Sequence, residues 1–510
     1  MRRYTSFIGL MFLAILAMLA FNSVDKGAPN PTKSPTPAAI SSSSIAELSD
    51  YYAQDLIWKD CDGGFECSVL SVPLDYANPS EQAITISVIR LHSDSAVGSL
   101  LLNPGGPGGS GIEYVRAAKY VVSSKLIKRY DIIGFDPRGV GQSTPVDCLD
   151  DKQTDKFIAA DGSPDNQKEI DQTVALSKQL ANGCAKKSPK IYAHMDTVSA
   201  ARDIDILRSA LGDTKLNWLG KSYGTFLGAT YADLFPNKVG RMVLDGAIDP
   251  TLTNEQLSIG QAIGFENALR RFVQDCPSHS DCPLKTSGPD GVAQIVALLN
   301  KLDSKPGRLS DGRVFTQAMG LTGVLGSLYD KVYGWPQLRS DLSGALIGDY
   351  SGLGGSLDFY ISRNQDGTYQ DNSNDAIAAV NCLDRPDRPS VIEAQVLATN
   401  WKSQAPLFGE YLAWSNISCT YWATPATGLP KPIKAIGSPT ILVVGTINDP
   451  ATPYPWAQAL ASQLSKGVLL SFDGDGHTAY MQGSKCVDQV VDEYFVTGKA
   501  KSGLTCTDGP

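Results

Sequence analysis

Residues 218–228, WLGKSYGTFLG, decide how the rest of the chain is read. An apolar run ending at Leu219 has the character of a buried strand, and a helical pattern begins directly after Gly224. Gly220-Lys221-Ser222-Tyr223-Gly224 is then the turn between them. In such a G-x-S-x-G turn the serine sits on a strained corner, and glycines two positions to either side let strand and helix approach closely. The hydroxyl of Ser222 is thereby exposed above the sheet. In a chain with 48 glycines the pentapeptide alone is a weak signal, and a glycine-flanked turn serine without a catalytic task is the competing reading. The strand and helix on either side favour the catalytic one.

Outward from this corner, apolar β-rich runs alternate with helical patterns. Strands are expected at residues 68–72, 84–91, 99–102, 130–135, 216–219 and 242–244, with helices at 197–211 and 225–234. Gly, Asp and Ser clusters break this rhythm from about residue 251, with helical fragments such as 292–302, and it returns as strand 440–444, helix 455–464, strand 468–472 and helix 487–495. Such alternation predicts an α/β fold, a mostly parallel central sheet with helices on both faces. The interruption predicts a cap inserted between two strands. The expected division is a first core part at 51–250, a cap or lid at 251–429 and a C-terminal core part at 430–510.

Composition narrows the class. Lys and Arg number 44 against 53 Asp and Glu, a formal charge of −9, and 42% of residues are hydrophobic. A disordered chain would be poorer in apolar residues, and a nucleic-acid binder would carry a basic face, so neither class fits. Arg2 and Arg3 precede the uncharged run Phe7 to Phe21, and residues 1–22 read as a signal peptide or as an N-terminal anchor able to tether the protein to a membrane. Residues 23–50, rich in proline and serine, read as a linker. The protein is therefore expected to be exported: secreted, periplasmic or held at the cell surface. Ten cysteines in sequence-local couples (61 and 67, 148 and 184, 276 and 282, 382 and 419, 486 and 506) agree with export and disulfides, although spacing does not settle the connectivity. No cysteine pair has C-x₂-C spacing and only four histidines are present, so no metal and no cofactor is expected.

A nucleophilic serine needs a base, and the base needs an orienting carboxylate, in the chain order serine, acid, histidine. Only His279 and His477 follow Ser222. His279 sits between two cysteines in CPSHSDC and reads as a surface residue, whereas His477 lies in FDGDGHTAY just after the last expected strand. Asp449, in TILVVGTINDPATP at the end of the preceding strand, is preferred as the acid over Asp473 and Asp475, which share the histidine's own loop. The glycine-rich stretch 100–111, LLLNPGGPGGSG, follows an early strand. It nominates the backbone N–H of Gly106, or of a neighbouring glycine, for an oxyanion hole, with Tyr223 N–H as the second donor. A phosphate loop is the weaker reading, since the G-x-x-x-x-G-K-[ST] pattern is missing and Pro104 and Pro107 remove N–H groups.

Taken together, NPGGPGGSG (103–111), DIIGFDPRGVGQS (131–143), RDIDILRSALG (202–212), GKSYGTFLGATYADLFP (220–236), RMVLDGAIDP (241–250), NDPATP (448–453) and GDGHT (474–478) resemble the secreted tripeptidyl aminopeptidases. These are a branch of the proline iminopeptidase-like serine peptidases within the α/β-hydrolase superfamily. The resemblance implies an α/β-hydrolase fold with a helical cap, Ser222, Asp449 and His477 as a triad, and an exopeptidase that releases short peptides from substrates with a free N-terminus. Two departures stand out. Asn103-Pro104 precede Gly105 where the iminopeptidases have His-Gly-Gly-Pro, so proline specificity does not carry over, and the cap is similar only around Cys382 to Asp384. Asp384 is the first choice for an acceptor of the substrate's ammonium, against a salt bridge to Arg385 or Arg388 or a turn cap. A carboxylesterase or lipase would use the same triad, and a non-catalytic binding protein would have lost part of it.

Overall fold

The central sheet takes its shape from strands that are apolar on both faces. The structure is a computed structural model and describes residues 47–509. The expected signal peptide or anchor at 1–22 lies outside the described residues, as does nearly all of the linker at 23–50. The last linker residues enter a short helix, Leu48–Tyr52, whose Tyr51 is buried.

Strands β1 (Lys59–Asp60), β2 (Glu66–Pro73), β3 (Ala83–Leu91), β4 (Ser99–Asn103), β5 (Asp131–Phe135), β6 (Leu216–Lys221) and β7 (Val239–Asp245) form the first part of the sheet. A two-stranded hairpin, β8 (Gly307–Arg308) and β9 (Val314–Phe315), stands apart from it. The sheet resumes with β10 (Ile441–Asn448), β11 (Gly467–Asp475) and β12 (Leu504–Cys506). The spatial order is β1-β2-β3-β5-β4-β6-β7-β10-β11-β12, with β1, β2 and β3 antiparallel and every later pairing parallel. This is the α/β-hydrolase fold, and the expected strands are present within a few residues of their read positions. The edge strands β1 and β12 have no apolar run to announce them. Cys61–Cys67 and Cys486–Cys506 hold the chain beside them instead.

Alternation along each strand feeds two cores. Leu101, Ile133, Trp218, Met242, Leu244 and Val443 pack on one face with Ile204, Leu207, Leu227 and Leu460 from helices. Leu100, Leu102, Ile132, Leu219, Val243 and Leu442 pack on the other with Ile112, Val115, Val487 and Phe495. Shifting a strand by one residue would exchange the two sets, and burying each such side chain is worth about 1.5–3 kcal/mol, so the register is strongly specified.

Between β7 and β10 lies the interrupting segment, which is mainly helical. Its helices include Asn254–Asp275, Gly288–Ser304, Gln317–Ser327, Gly334–Leu346, Ser351–Tyr360, Ser373–Asp384 and Val391–Lys402. They enclose a third core around Phe265, Leu269, Phe272, Leu299, Phe315, Trp335 and Leu353. Polar contacts fasten this layer to the loop that follows β5: the Asn372 side chain accepts from Gly141 N–H and donates to the Gly139 and Val146 carbonyls, and Asp375 accepts from Cys148 N–H.

All ten cysteines pair with their sequence neighbours: 61–67, 148–184, 276–282, 382–419 and 486–506. Cys148–Cys184 closes a separation of 36 residues and Cys61–Cys67 one of 6. Loop-closure entropy makes the longer constraint worth about 4 kcal/mol and the shorter about 2 kcal/mol. Replacing Cys148 and Cys184 together by serine is expected to lower the unfolding free energy more than replacing Cys61 and Cys67. Equal losses in denaturant titration would show that something other than loop length sets the cost.

Candidate active site

Ser222 stands where β6 meets the helix Tyr223–Leu234, at φ 55° and ψ −125°. A non-glycine residue in that region costs on the order of 1–3 kcal/mol, so the surroundings must hold it there. They do so by crowding. A Cβ on Gly220 would come 2.2 Å from the Gly224 carbonyl oxygen and 2.4 Å from Trp218 Nε1, and one on Gly224 would come 2.7 Å from Asn103 Oδ1. Only hydrogen fits at either position, which is the physical content of the two glycines in the motif. Ser222 N–H donates to the Asp245 carbonyl at 2.9 Å, and Ser222 O accepts from Thr225 N–H and its hydroxyl.

His477 follows β11 on a loop tied to three elements. Its N–H donates to the Tyr329 carbonyl at 2.8 Å, and its ring meets the Tyr329 ring edge-on at 5.4 Å. Imidazole Nδ1 lies 2.9 and 3.0 Å from the two oxygens of Asp449, just beyond β10. Asp449 is buried and also accepts from Ala451 N–H, Thr452 N–H, the Thr452 hydroxyl and Thr478 N–H. A carboxylate so fully engaged cannot swing away, and with Nδ1 facing it the imidazole turns Nε2 outward, the arrangement a general base requires. Asp475 is occupied elsewhere, by Lys331 at 3.0 Å and by Arg271, and Asp473 is exposed. His279 pairs with Asp275 at 2.9 Å.

Asp245 joins the two halves of the site. Its carbonyl holds Ser222 N–H, and its carboxylate accepts from Ala479 and Tyr480 N–H, immediately beyond His477. Lys221, the residue before Ser222, donates to the Tyr480 carbonyl at 2.7 Å and lines one cavity together with His477 and Pro104. Burial pushes the Asp245 carboxyl above, and the Lys221 ammonium below, its ordinary range.

The glycine-rich loop after β4 packs directly on the serine corner. A Cβ on Gly105 would come 2.5 Å from the Lys221 carbonyl oxygen and 3.0 Å from Tyr223 N. Gly105 N–H donates to Asn103 Oδ1 at 3.1 Å, so the next amide, that of Gly106, is the loop's candidate donor beside Tyr223 N–H. The frame beneath is ionic: Asp136 accepts from the Ser110 hydroxyl and from Ile112 and Gln142 N–H. Arg138, wholly buried, spreads its guanidinium over Asp203 and the Pro73, Leu74 and His194 carbonyls.

Asp384 does not stand open to a substrate ammonium, which corrects the expectation for it. It is 4% exposed, and its two oxygens accept from Thr197 N–H at 2.7 Å and the Thr197 hydroxyl at 2.5 Å. Thr197 in turn accepts from the Tyr223 hydroxyl at 2.6 Å. Asp384 therefore holds the first residue of the helix Thr197–Ala210, whose N-cap is Asp196, and positions Tyr223 from behind. Sequence reading missed Asp245, Lys221 and Tyr329. The first two lie inside quoted motifs, but only folding shows their contacts, and Tyr329 comes from the interrupting segment, where no motif marks it.

A sheet of this topology, with a serine on the strained strand-to-helix corner after β6 and a histidine held by aspartate on the loops after β11 and β10, defines a serine hydrolase of the α/β-hydrolase fold. The family described as TAP-like protein matches residues 405–506. Over 461 residues the chain is 35% identical to Serine protease Hip1 of Mycobacterium tuberculosis, covering 87% of this chain and 88% of that protein. It is 39% identical over 444 residues to Carboxylesterase B of the same species, covering 85% and 84%. Over 467 residues it is 30% identical to the Tripeptidyl aminopeptidase of Streptomyces lividans, covering 88% and 86%. The chain belongs to the TAP-like family of α/β-hydrolase serine peptidases.

The buried Asp384 carboxyl gives a pH signature. Burial pushes it up to about 6 from an ordinary value of 3.8, against the lowering effects of Arg385 and the Thr197 hydrogen bonds. An acid raised on folding stabilises fully below pH ~4, and that contribution is lost as pH rises through 6, at most about 3 kcal/mol for two pH units. Asp375 is raised to about 6 as well and adds to the same window. Asp384→Asn is expected to lessen the fall in unfolding free energy between pH 4 and 7. Identical slopes for the two proteins would show that Asp384 titrates normally.

Proposed function

We propose that this protein is an exported serine exopeptidase that cuts short peptides, tripeptides by family resemblance, from free N-termini, with Ser222, His477 and Asp449 as its triad. The observation that carries this reading is His477 Nδ1 clasped at 2.9 and 3.0 Å by Asp449, in a cavity wall shared with Lys221 next to Ser222. His477 takes the Ser222 proton as the hydroxyl attacks the scissile carbonyl, and Tyr223 and Gly106 N–H receive the oxyanion. The imidazolium then protonates the departing amine, and a water activated by His477 releases the acyl group. Asp449 holds the tautomer throughout. Five disulfides support export, since such bonds persist in oxidising compartments.

Carboxylester hydrolysis is the second reading, favoured by the 39% identity to Carboxylesterase B. One assay separates the two. A free-amino peptide of mixed sequence is expected to yield three-residue fragments by mass spectrometry, and N-acetylation should lower kcat/KM by at least ~100-fold, about 2.7 kcal/mol. Equal cleavage of both peptides at internal bonds would replace the exopeptidase reading, and hydrolysis of esters alone would establish the esterase. Ser222→Ala, His477→Ala and Asp449→Asn should each reduce kcat by about 10⁴-fold or more. A His477→Ala enzyme that keeps most of its activity would remove His477 from the mechanism.

A further inference from the structure

One helix of the interrupting segment, Ser373–Asp384, reaches both elements that carry the candidate oxyanion donors. At its start it closes on the glycine-rich loop: a Cβ on Gly108 would come 3.1 Å from Ser373 and 3.1 Å from the Ala376 methyl. Asn372, the residue before it, is tied to Gly141 N–H and to the Gly139 and Val146 carbonyls, so this end cannot drift. At its last residue, Asp384 accepts from Thr197 N–H at 2.7 Å and from the Thr197 hydroxyl at 2.5 Å, and the Thr197 and Tyr223 hydroxyls stand 2.6 Å apart. Arg385 lies over the Phe226 ring, which meets the Tyr223 ring edge-on. Asp384, Thr197 and Tyr223 are all buried, so water does not compete for these bonds.

The chain of hydroxyls has one sense. An ionised carboxylate can only accept. Above about pH 6, to which burial pushes the Asp384 carboxyl, Thr197 gives its amide and hydroxyl hydrogens to Asp384, and its oxygen is left to accept from Tyr223. A tyrosine has only two side-chain torsions, so a hydroxyl fixed at the far end of the rigid ring leaves the Cα and its amide little room to shift. That amide is the one against which the glycine loop packs, since a Cβ on Gly105 would come 3.0 Å from Tyr223 N. Oxyanion stabilisation depends on donors that are in place before the charge develops. Removing one costs about 10²–10³ in rate, and displacing one costs part of that.

We propose that Asp384 and Thr197 are positioning residues for the oxyanion: acting through the Tyr223 hydroxyl, they hold the Tyr223 N–H where it meets the charge that develops on the scissile carbonyl oxygen. With its other end against the glycine loop, the helix Ser373–Asp384 sets the spacing of the two donors from the side of the interrupting segment. This role rests on the Ser222 acyl-enzyme of the reading above, but not on whether a peptide or an ester forms it.

Propyl trifluoromethyl ketone mimics the tetrahedral intermediate of butyryl transfer. Ser222 Oγ adds to its carbonyl carbon, the hydroxyl proton passes to His477, and the ketone oxygen becomes the oxyanion. Its inhibition constant is independent of how much active enzyme is present, so a loss of folded protein leaves it unmoved. With p-nitrophenyl butyrate as substrate at pH ~8 and active sites counted from the nitrophenol burst, Tyr223→Phe and Thr197→Val are each expected to lower kcat about 10-fold, to leave KM within about twofold and to raise the inhibition constant about 10-fold. The double variant should be no worse than either single one, since both cut the same chain. Thr197→Ser, which keeps the hydroxyl, should stay within about twofold of the unaltered enzyme in both measurements. Tyr223→Phe strands no charge, because the Thr197 hydroxyl still donates to Asp384, and it decides the matter where Thr197→Val fails to fold. An unchanged inhibition constant in Tyr223→Phe, additive losses in the double variant, or a loss in Thr197→Ser equal to that in Thr197→Val would each overturn the positioning role. An unaltered enzyme that neither releases nitrophenol nor binds the ketone would overturn the Ser222 reading itself, and the positioning role with it.

Discussion

Everything at the catalytic edge depends on the space around one strained residue. Ser222 keeps its positive φ because Gly220, Gly224 and Gly105 let strand, helix and loop close to distances that a single methyl group would prevent. An alanine at Gly220 would drive its Cβ into backbone at 2.2 Å, and backbone cannot yield as a flexible side chain can. The strain is small, on the order of 1–3 kcal/mol, beside the apolar burial on both faces of the sheet, and so it can be sustained. Its effect is to place the serine and the amide of Tyr223 at the same corner, against the Gly105–Gly106 backbone.

Around that corner the fold uses carboxylates as fasteners. Asp136 holds the start of the helix after the glycine loop, Asp203 receives the buried Arg138, Asp245 links the serine strand to the histidine loop, and Asp449 gathers four groups besides orienting the imidazole. Each is buried, and each receives several N–H or O–H donors, which is the condition under which a buried charge is tolerable. Removing any one partner would leave the rest uncompensated, so these networks hold their geometry tightly.

The helical segment between β7 and β10 is part of the site as well as a layer above it. Tyr329 supplies the carbonyl that fixes the His477 backbone and the ring against which the imidazole rests, and Phe265 packs behind Tyr329 at 5.2 Å. Arg271 and Lys331 pin Asp475 at the end of β11. Motion of this layer would therefore be felt at the histidine.

The fold was largely legible in the sequence because its signals are local. Alternating apolar residues mark the strands, the glycine spacing around Ser222 marks the corner, and chain order selects His477 and Asp449 from few alternatives. Disulfide partners were guessable as neighbours for the same reason: each pair closes a loop within a short stretch of chain. What the sequence could not decide is where polar atoms meet across long separations. Asp384 was the first choice for an acceptor of the substrate's ammonium, yet it is turned onto Thr197, 187 residues away. The contacts of Lys221 with Tyr480 and of Asp245 with Ala479 exist only because β6, β7 and the histidine loop converge. A residue's type determines what it can donate or accept, but only the packed tertiary structure determines whether a partner is within reach, since that depends on close approach between segments that share no sequence pattern.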